Sequence, residues 1–262
     1  MAQPELSLLD AFKQRHSVRS FNTNEFKPED EEFIQKTIEE ANALDVPFHT
    51  VSTVGLHPAG LGRIGVISGE NGWLLPKIPK DTAQENLRKA IIDVSFRLHY
   101  CVMQLTKHHI STVWIAGTYS RSTAESDNPG FLCPAGIPYG IEGGTRFLER
   151  AMKWFSGSKD RYPLEKIFNT VPSGKEEFCE ALRSGPSAIN KQPWRFVFSE
   201  DNTEIHLFDS SNNDYSQFDM GIALMNIYLL VKNSGHEPQF TVKDPPPQPF
   251  SSGDVYVISC TL

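Results

Sequence analysis

Residues 15–21 read Arg15-His16-Ser17-Val18-Arg19-Ser20-Phe21, with two arginines and a serine spaced two apart. Side chains of an extended backbone alternate between faces, so an extended segment here sets Arg15, Ser17 and Arg19 on one face. Two guanidiniums and a hydroxyl suit a phosphate, because charge-assisted hydrogen bonds are the strong kind, worth roughly 1.5–3 kcal/mol each. Taken alone, the stretch reads equally as a solvated basic loop. The surrounding Lys13–Arg19 carries three cations and His16 and no acid, whereas the whole chain has a net charge of −7. An anionic ligand would be held by this local cluster against the field of the rest of the protein. The same acidic balance argues against a nucleic-acid partner.

A second stretch stands out downstream, Gly185-Pro186-Ser187-Ala188-Ile189-Asn190-Lys191-Gln192-Pro193-Trp194. Two prolines, a small pair and two amides make a rigid segment rich in donors and acceptors, able to follow the edge of a planar heterocycle. Alone it also reads as a turn feeding the strand Trp194–Phe198.

Between and around these stretches the pattern alternates helix and strand. Ser7–Gln14 is expected to be a short helix capped by Ser7, and Pro28 opens a helix to about Ala43, with Phe33, Thr37, Ile38 and Ala41 at helical spacing. Strands are expected at Phe48–Val54, Arg63–Ser68, Thr112–Ala116 and Gly136–Ile141. The longest helix is expected from Thr82 to about His108, and a loop from Arg121 to Pro134. Then come a helix at Lys175–Leu182, strands at Trp194–Phe198 and Thr203–Phe208, an apolar helix at Phe218–Ser234 and a closing strand at Val255–Ser259.

The order repeats. Phe21-Asn22-Thr23 recurs as Phe168-Asn169-Thr170, and Glu31-Glu32-Phe33 as Glu176-Glu177-Phe178. Pro47-Phe48 lines up with Pro193-Trp194, Asp93 with Asp219, and Trp114 with Phe240. Three near-constant offsets in one order, followed by matching long helices at a shorter offset, suggest two fused copies, 1–158 and 159–262, that once paired as a symmetric dimer.

The two stretches resemble the signatures of the nitroreductase family, RRSxRxF near the N-terminus and PSxxNxQPW after the next helix. The resemblance covers nearly the whole chain and is closest to single-chain fused members. It implies an α+β nitroreductase-like fold of two unequal halves forming an intramolecular pseudo-dimer, and one bound FMN. In the family the Arg-Ser-Arg segment and the Pro-Ser segment come from different subunits. Here they fall in different halves, and the first-half counterpart, ANALDVPF at Ala41–Phe48, is degenerate. By resemblance Arg15, His16, Ser17 and Arg19 would meet the flavin phosphate, although His16 replaces the usual second arginine. Ile115, Ala116 and Gly117 would touch the ring through their backbone. Lys159 and Arg161, in a K-x-R-x-P-L segment, would add cations, although Arg161 also aligns with Arg15 in the repeat. Pro186, Ser187, Ala188, Asn190 and Gln192 complete the expected cofactor set.

The implied activity is a ping-pong transfer from NAD(P)H, through FMN, to a small electron-poor acceptor such as a nitroaromatic or a quinone. No side chain is required as nucleophile or base, and no metal is expected. A storage or sensing flavoprotein without turnover, a dehalogenase or flavin-fragmenting relative, and a member that has lost flavin are the alternatives. Gly60-Leu61-Gly62-Arg63-Ile64-Gly65 matches G-x-G-x-x-G, but a strand rather than a helix is expected to follow it, so a dinucleotide fold is not implied. Cys101, Cys133, Cys179 and Cys260 have neither zinc nor disulfide-scaffold spacing and read as core thiols. The absence of a signal-like segment and of any long apolar run leads to the expectation of a cytoplasmic, monomeric protein with no membrane partner.

Overall fold

Ser7 accepts a hydrogen bond from the Asp10 amide at 3.1 Å and so starts α1 (Leu8–Gln14). The computed structural model describes residues 4–63, 66–143, 160–211 and 213–262, and the chain divides into two units, Met1–Ser158 and Lys159–Leu262.

In the first unit Pro28 occupies the first turn of α2 (Pro28–Ala43), and the Asp30 carboxylate accepts from the Lys27 amide at 2.9 Å. Ile34, Thr37, Ile38 and Ala41 form the buried stripe. Phe33, expected in it, instead stacks on His108 with ring centroids 4.0 Å apart. The strands β1 (Thr53–Pro58) and β2 (Gly72–Pro79) precede the long helix α3 (Gln84–Lys107). Then come β3 (Ser111–Thr112), α4 (Arg121–Asp127), β4 (Phe131–Leu132) and β5 (Ile137–Gly140). The sheet runs β1-β2-β5-β3, antiparallel throughout, with β4 added at the far end of β2.

Two expectations are corrected here. Of the strand expected at Arg63–Ser68, Ile64 and Gly65 lie outside the described residues, and among the described ones the Val66 amide turns back to the Arg63 carbonyl and only Ser68 makes an isolated bridge. The strand is β2, which its prolines disguise. Pro76 lies opposite Val54, and on the other edge of β2 it falls between the rungs to β5 and those to β4, a place where a missing N–H is tolerated. The expected loop at Arg121–Pro134 contains α4 and β4. That helix is too short to stand by propensity, and it is held by the buried Ala124 and by Glu125, whose carboxylate accepts the Cys133 amide at 3.0 Å.

The second unit contains α5 (Glu176–Arg183), β6 (Trp194–Phe198), β7 (Glu204–Asp209), α6 (Ser216–Asn233), β8 (Phe240–Thr241) and β9 (Val255–Thr261). Its antiparallel sheet runs β6-β7-β9-β8. α6 is buried on all sides from Phe218 to Ile227, as its nearly uninterrupted apolar sequence requires.

Apart from α4 and β4 of the first unit, each unit thus runs strand, strand, long helix, strand, strand, with the last strand inserted between the second and third. This common topology is the structural form of the internal repeat, but its register differs from the one read in the sequence. α2 and α5 end at residues 43 and 183, and β1 and β6 begin at 53 and 194. Trp194 therefore corresponds to Thr53 rather than to Phe48. All four cysteines are free and buried, and among the described residues no cluster could hold a metal ion. No described helix is long and apolar enough to cross a membrane.

Candidate functional site

In the first unit the Arg15–Phe21 segment is extended and pinned on both edges. Ser17 bridges Thr112 in parallel and the Val18 amide donates to the Thr112 carbonyl at 3.1 Å. On the opposite edge the Ser68 amide donates to Arg19, and the Phe21 amide returns to the Ser68 carbonyl at 2.8 Å. Val18 and Phe21 are buried in a cluster with Trp73, Val113, Ile115 and Tyr119. Arg15, Ser17 and Arg19 are partly exposed while Val18 and Ser20 are buried, the alternation that an extended strand imposes. Val18 and Phe21 anchor the segment, and Arg15, Ser17 and Arg19 stay partly exposed.

His16 does not join that face. Its Nε2 lies 3.1 Å from both oxygens of Glu142 and its Nδ1 lies 2.9 Å from the Gln14 carbonyl. The His16 ring is thus tied at the surface to a carboxylate and a carbonyl. Ile115 also has partners within the first unit. Its amide and carbonyl are both spent on Gly136, at 2.9 and 2.7 Å. Among the described residues the amides of Ala116 and Gly117 make no hydrogen bond, and a Cβ built on Gly117 meets no atom within 4 Å. The backbone there has room for a planar ring at close approach, and this fits a flavin.

In the second unit the Pro186–Gln192 segment is folded back on itself. Ile189, Asn190 and Gln192 have φ of 45°, 57° and 49°, three left-handed non-glycine residues in four positions. Such residues cost about 1–3 kcal/mol each and persist only where neighbours over-determine them. Those neighbours are explicit. The Gln192 amide donates to Ser187 Oγ at 2.9 Å, and Gln192 Oε1 accepts from the Tyr162 amide at 2.9 Å. Gln192 Nε2 and Asn190 Nδ2 donate to the Asp160 carbonyl at 3.2 and 2.8 Å. Arg161 donates to Asn190 Oδ1 and to the Ser184 carbonyl. Gln192 is 2% exposed. The amides expected to face a cofactor therefore build the loop, and Arg161 braces it; burial and the neighbouring Arg183 lower its pKa. Pro186, Ser187 and Ala188 are partly exposed, and Ile189 is the outermost side chain. Lys159 lies outside the described residues.

A family model described as "Putative TM nitroreductase" matches residues 7–231. The chain belongs to this nitroreductase family. The structure also resembles a "putative nitroreductase" from Thermotoga maritima, with a TM-score of 0.66 at 18% identity, covering 100% of this chain and 96% of that one. This full-length likeness assigns the nitroreductase fold. Weaker likenesses include a nitroreductase-type protein from Exiguobacterium sibiricum crystallised in complex with FMN (TM-score 0.45, 11% identity, 63% of this chain and 98% of that one). No curated protein matches.

Sequence reading missed one pair of residues at the loops of this family member. Asp219 of α6 is 3% exposed and accepts the Ala188 amide at 3.0 Å through Oδ1. Asp93 of α3, fully buried, accepts the amides of Phe48 and Thr50 at 3.0 and 2.9 Å. The available signal was an acid at a matched place in two apolar helices, which had served only to align them.

Proposed function

We propose that the chain binds one FMN and works as an oxidoreductase passing electrons from NAD(P)H to a small electron-poor acceptor, nitroaromatic- or quinone-like. The observation that carries this reading is the pinned Arg15–Arg19 strand, whose partly open face bears two guanidiniums and a hydroxyl in a member of a nitroreductase family. Arg15, Ser17 and Arg19 hold the phosphate, and Lys159 adds a cation. The amides of Ala116 and Gly117 face the ring, and Pro186, Ser187 and Ala188 pack against it. FMN, when bound, supplies reversible two-electron chemistry, accepting from NAD(P)H and delivering to the acceptor in alternating half-reactions. The protein's own residues bind, orient and exclude water, and none acts as nucleophile or general base. The fused halves make the chain sufficient as a monomer, in a cytoplasmic setting where NAD(P)H is at hand.

The test is the visible absorption spectrum of freshly purified protein, with identification of the chromophore released by heat and the sedimentation mass. FMN at about one per chain, on a particle of one chain, supports the reading. A colourless protein that takes up no added FMN overturns it.

A further inference from the structure

An ionised carboxylate among apolar side chains costs several kcal/mol unless it is paired, and α6 keeps Asp219 in such a place. We propose that Asp219 is a positioning residue: by holding the Ala188 amide it sets the strained Pro186–Gln192 segment in the shape that packs on the flavin. This rests on the FMN reading above.

Three observations carry it. First, Ala188 immediately precedes the left-handed residues Ile189 and Asn190, so the Asp219–Ala188 bond fixes the start of the strained run. The ties described above from Ser187, Asn190 and Gln192 run within the segment and to the neighbouring Asp160, Arg161 and Tyr162. Of these bonds, the one from Asp219 reaches a long helix and with it the core of the unit.

Second, the first unit repeats the device on an unrelated sequence. Asp93, in the matched helix, holds the amides flanking His49, whose φ is 53°. Pro186–Gln192 reads PSAINKQ, and Asp45–Val51, its counterpart in the register of β1 and β6, reads DVPFHTV. The two copies share a buried carboxylate on a left-handed turn, and differ in the loop's own residues.

Third, the two clamps are not equally compensated. Asp93 has two amides and the Arg97 guanidinium one turn along α3. Asp219 has one amide, and Ala223 stands where Arg97 would be. The other charge acting on Asp219 is Asp209 of β7, a like charge. Burial, reinforced by Asp209 and opposed by the Ala188 amide, pushes the Asp219 carboxyl up to about 8. A carboxyl placed so expensively on one amide of this segment is explained by holding the segment.

The test combines amide hydrogen exchange on flavin-free protein with FMN affinity measured by fluorescence quenching. Asp219→Ala should speed exchange at residues 188–192 about tenfold or more and weaken FMN by a similar factor, the value of one lost hydrogen bond. Asp219→Asn keeps the acceptor oxygen and should restore both. Ala188→Pro removes the donor from the other end of the bond. Ser187, at φ −142° and ψ 158°, already has the extended backbone that precedes a proline, so this variant should mimic Asp219→Ala even if the latter does not fold. Asp93→Ala should speed exchange at 48–50 and leave exchange at 188–192 unchanged. Wild-type exchange at 189–192 in folded Asp219→Ala or Ala188→Pro overturns the clamp, and faster exchange with unchanged FMN affinity overturns the positioning role. Wild-type protein that binds no FMN refutes the flavin reading, and the exchange data then judge the clamp by themselves.

Discussion

Replacing Asp219 by Asn should make the protein more stable at alkaline pH, the reverse of the usual cost of removing a hydrogen-bonded carboxylate. An unfolded aspartate titrates near 3.9, whereas burial holds the folded Asp219 up at about 8. Between these values the native state keeps a proton that the unfolded chain has released, so native stability falls as pH rises. The loss begins above the unfolded value and is complete once pH passes the folded one. Each pH unit inside the window is worth about 1.4 kcal/mol, giving at most about 4 kcal/mol between pH 5 and 8. That is a large share of the roughly 5–15 kcal/mol that holds a typical domain. The substituted amide would be neutral at every pH and similar in shape to the protonated acid. The assay is denaturant unfolding followed by far-ultraviolet circular dichroism at pH 5, 6, 7 and 8, for wild type and Asp219→Asn side by side. All other titrations, Asp93 included, are common to both proteins and cancel in the difference. The variant's advantage over wild type should grow progressively from pH 5 towards pH 8. Parallel pH profiles would mean that Asp219 ionises normally in the native state, and the burial argument would be refuted.

Replacing both Arg15 and Arg19 by Ala should weaken FMN about 10²- to 10⁴-fold, from two lost charge-assisted bonds of roughly 1.5–3 kcal/mol each, without loss of circular dichroism; unchanged affinity would remove the phosphate assignment. Gly69→Ala should lower stability by at least about 2 kcal/mol in thermal unfolding, because Gly69 has φ +74° and a Cβ there would lie 2.4 Å from the Phe21 carbonyl oxygen. Gly117→Ala meets no such obstacle. It should leave flavin-free stability within about 0.5 kcal/mol while weakening FMN, and wild-type affinity would show that the ring does not approach that backbone.

The phosphate face was legible because it is local. An extended backbone alternates its side chains whatever surrounds it, so Arg15, Ser17 and Arg19 could be grouped from spacing alone. The roles of His16 and Ile115 could not. Their partners, Glu142 and Gly136, lie 126 and 21 residues away in sequence, and only the folded chain selects them. The same holds for Asn190 and Gln192, whose amides read as ligand donors until Asp160 and Tyr162 were found to take them.

By itself the sequence determined the capped and periodic elements. The Ser7 cap, the Pro28 start of α2, the apolar course of α3 and α6, and the strand Trp194–Phe198 are each set by residues a few positions apart, where local sterics and amphipathicity act. It also pointed to two units with elements in a like order, which the two sheets share. Tertiary structure decided the rest. It accepted Pro76 into β2 because one edge of that strand lacks a rung there, and it made α4 from a polar stretch by giving Ala124 and Glu125 buried partners. It also turned two acids in apolar helices into clamps on left-handed loops. A buried carboxylate is tolerable only where a distant amide meets it, and that meeting is a property of the fold, not of any stretch of the chain.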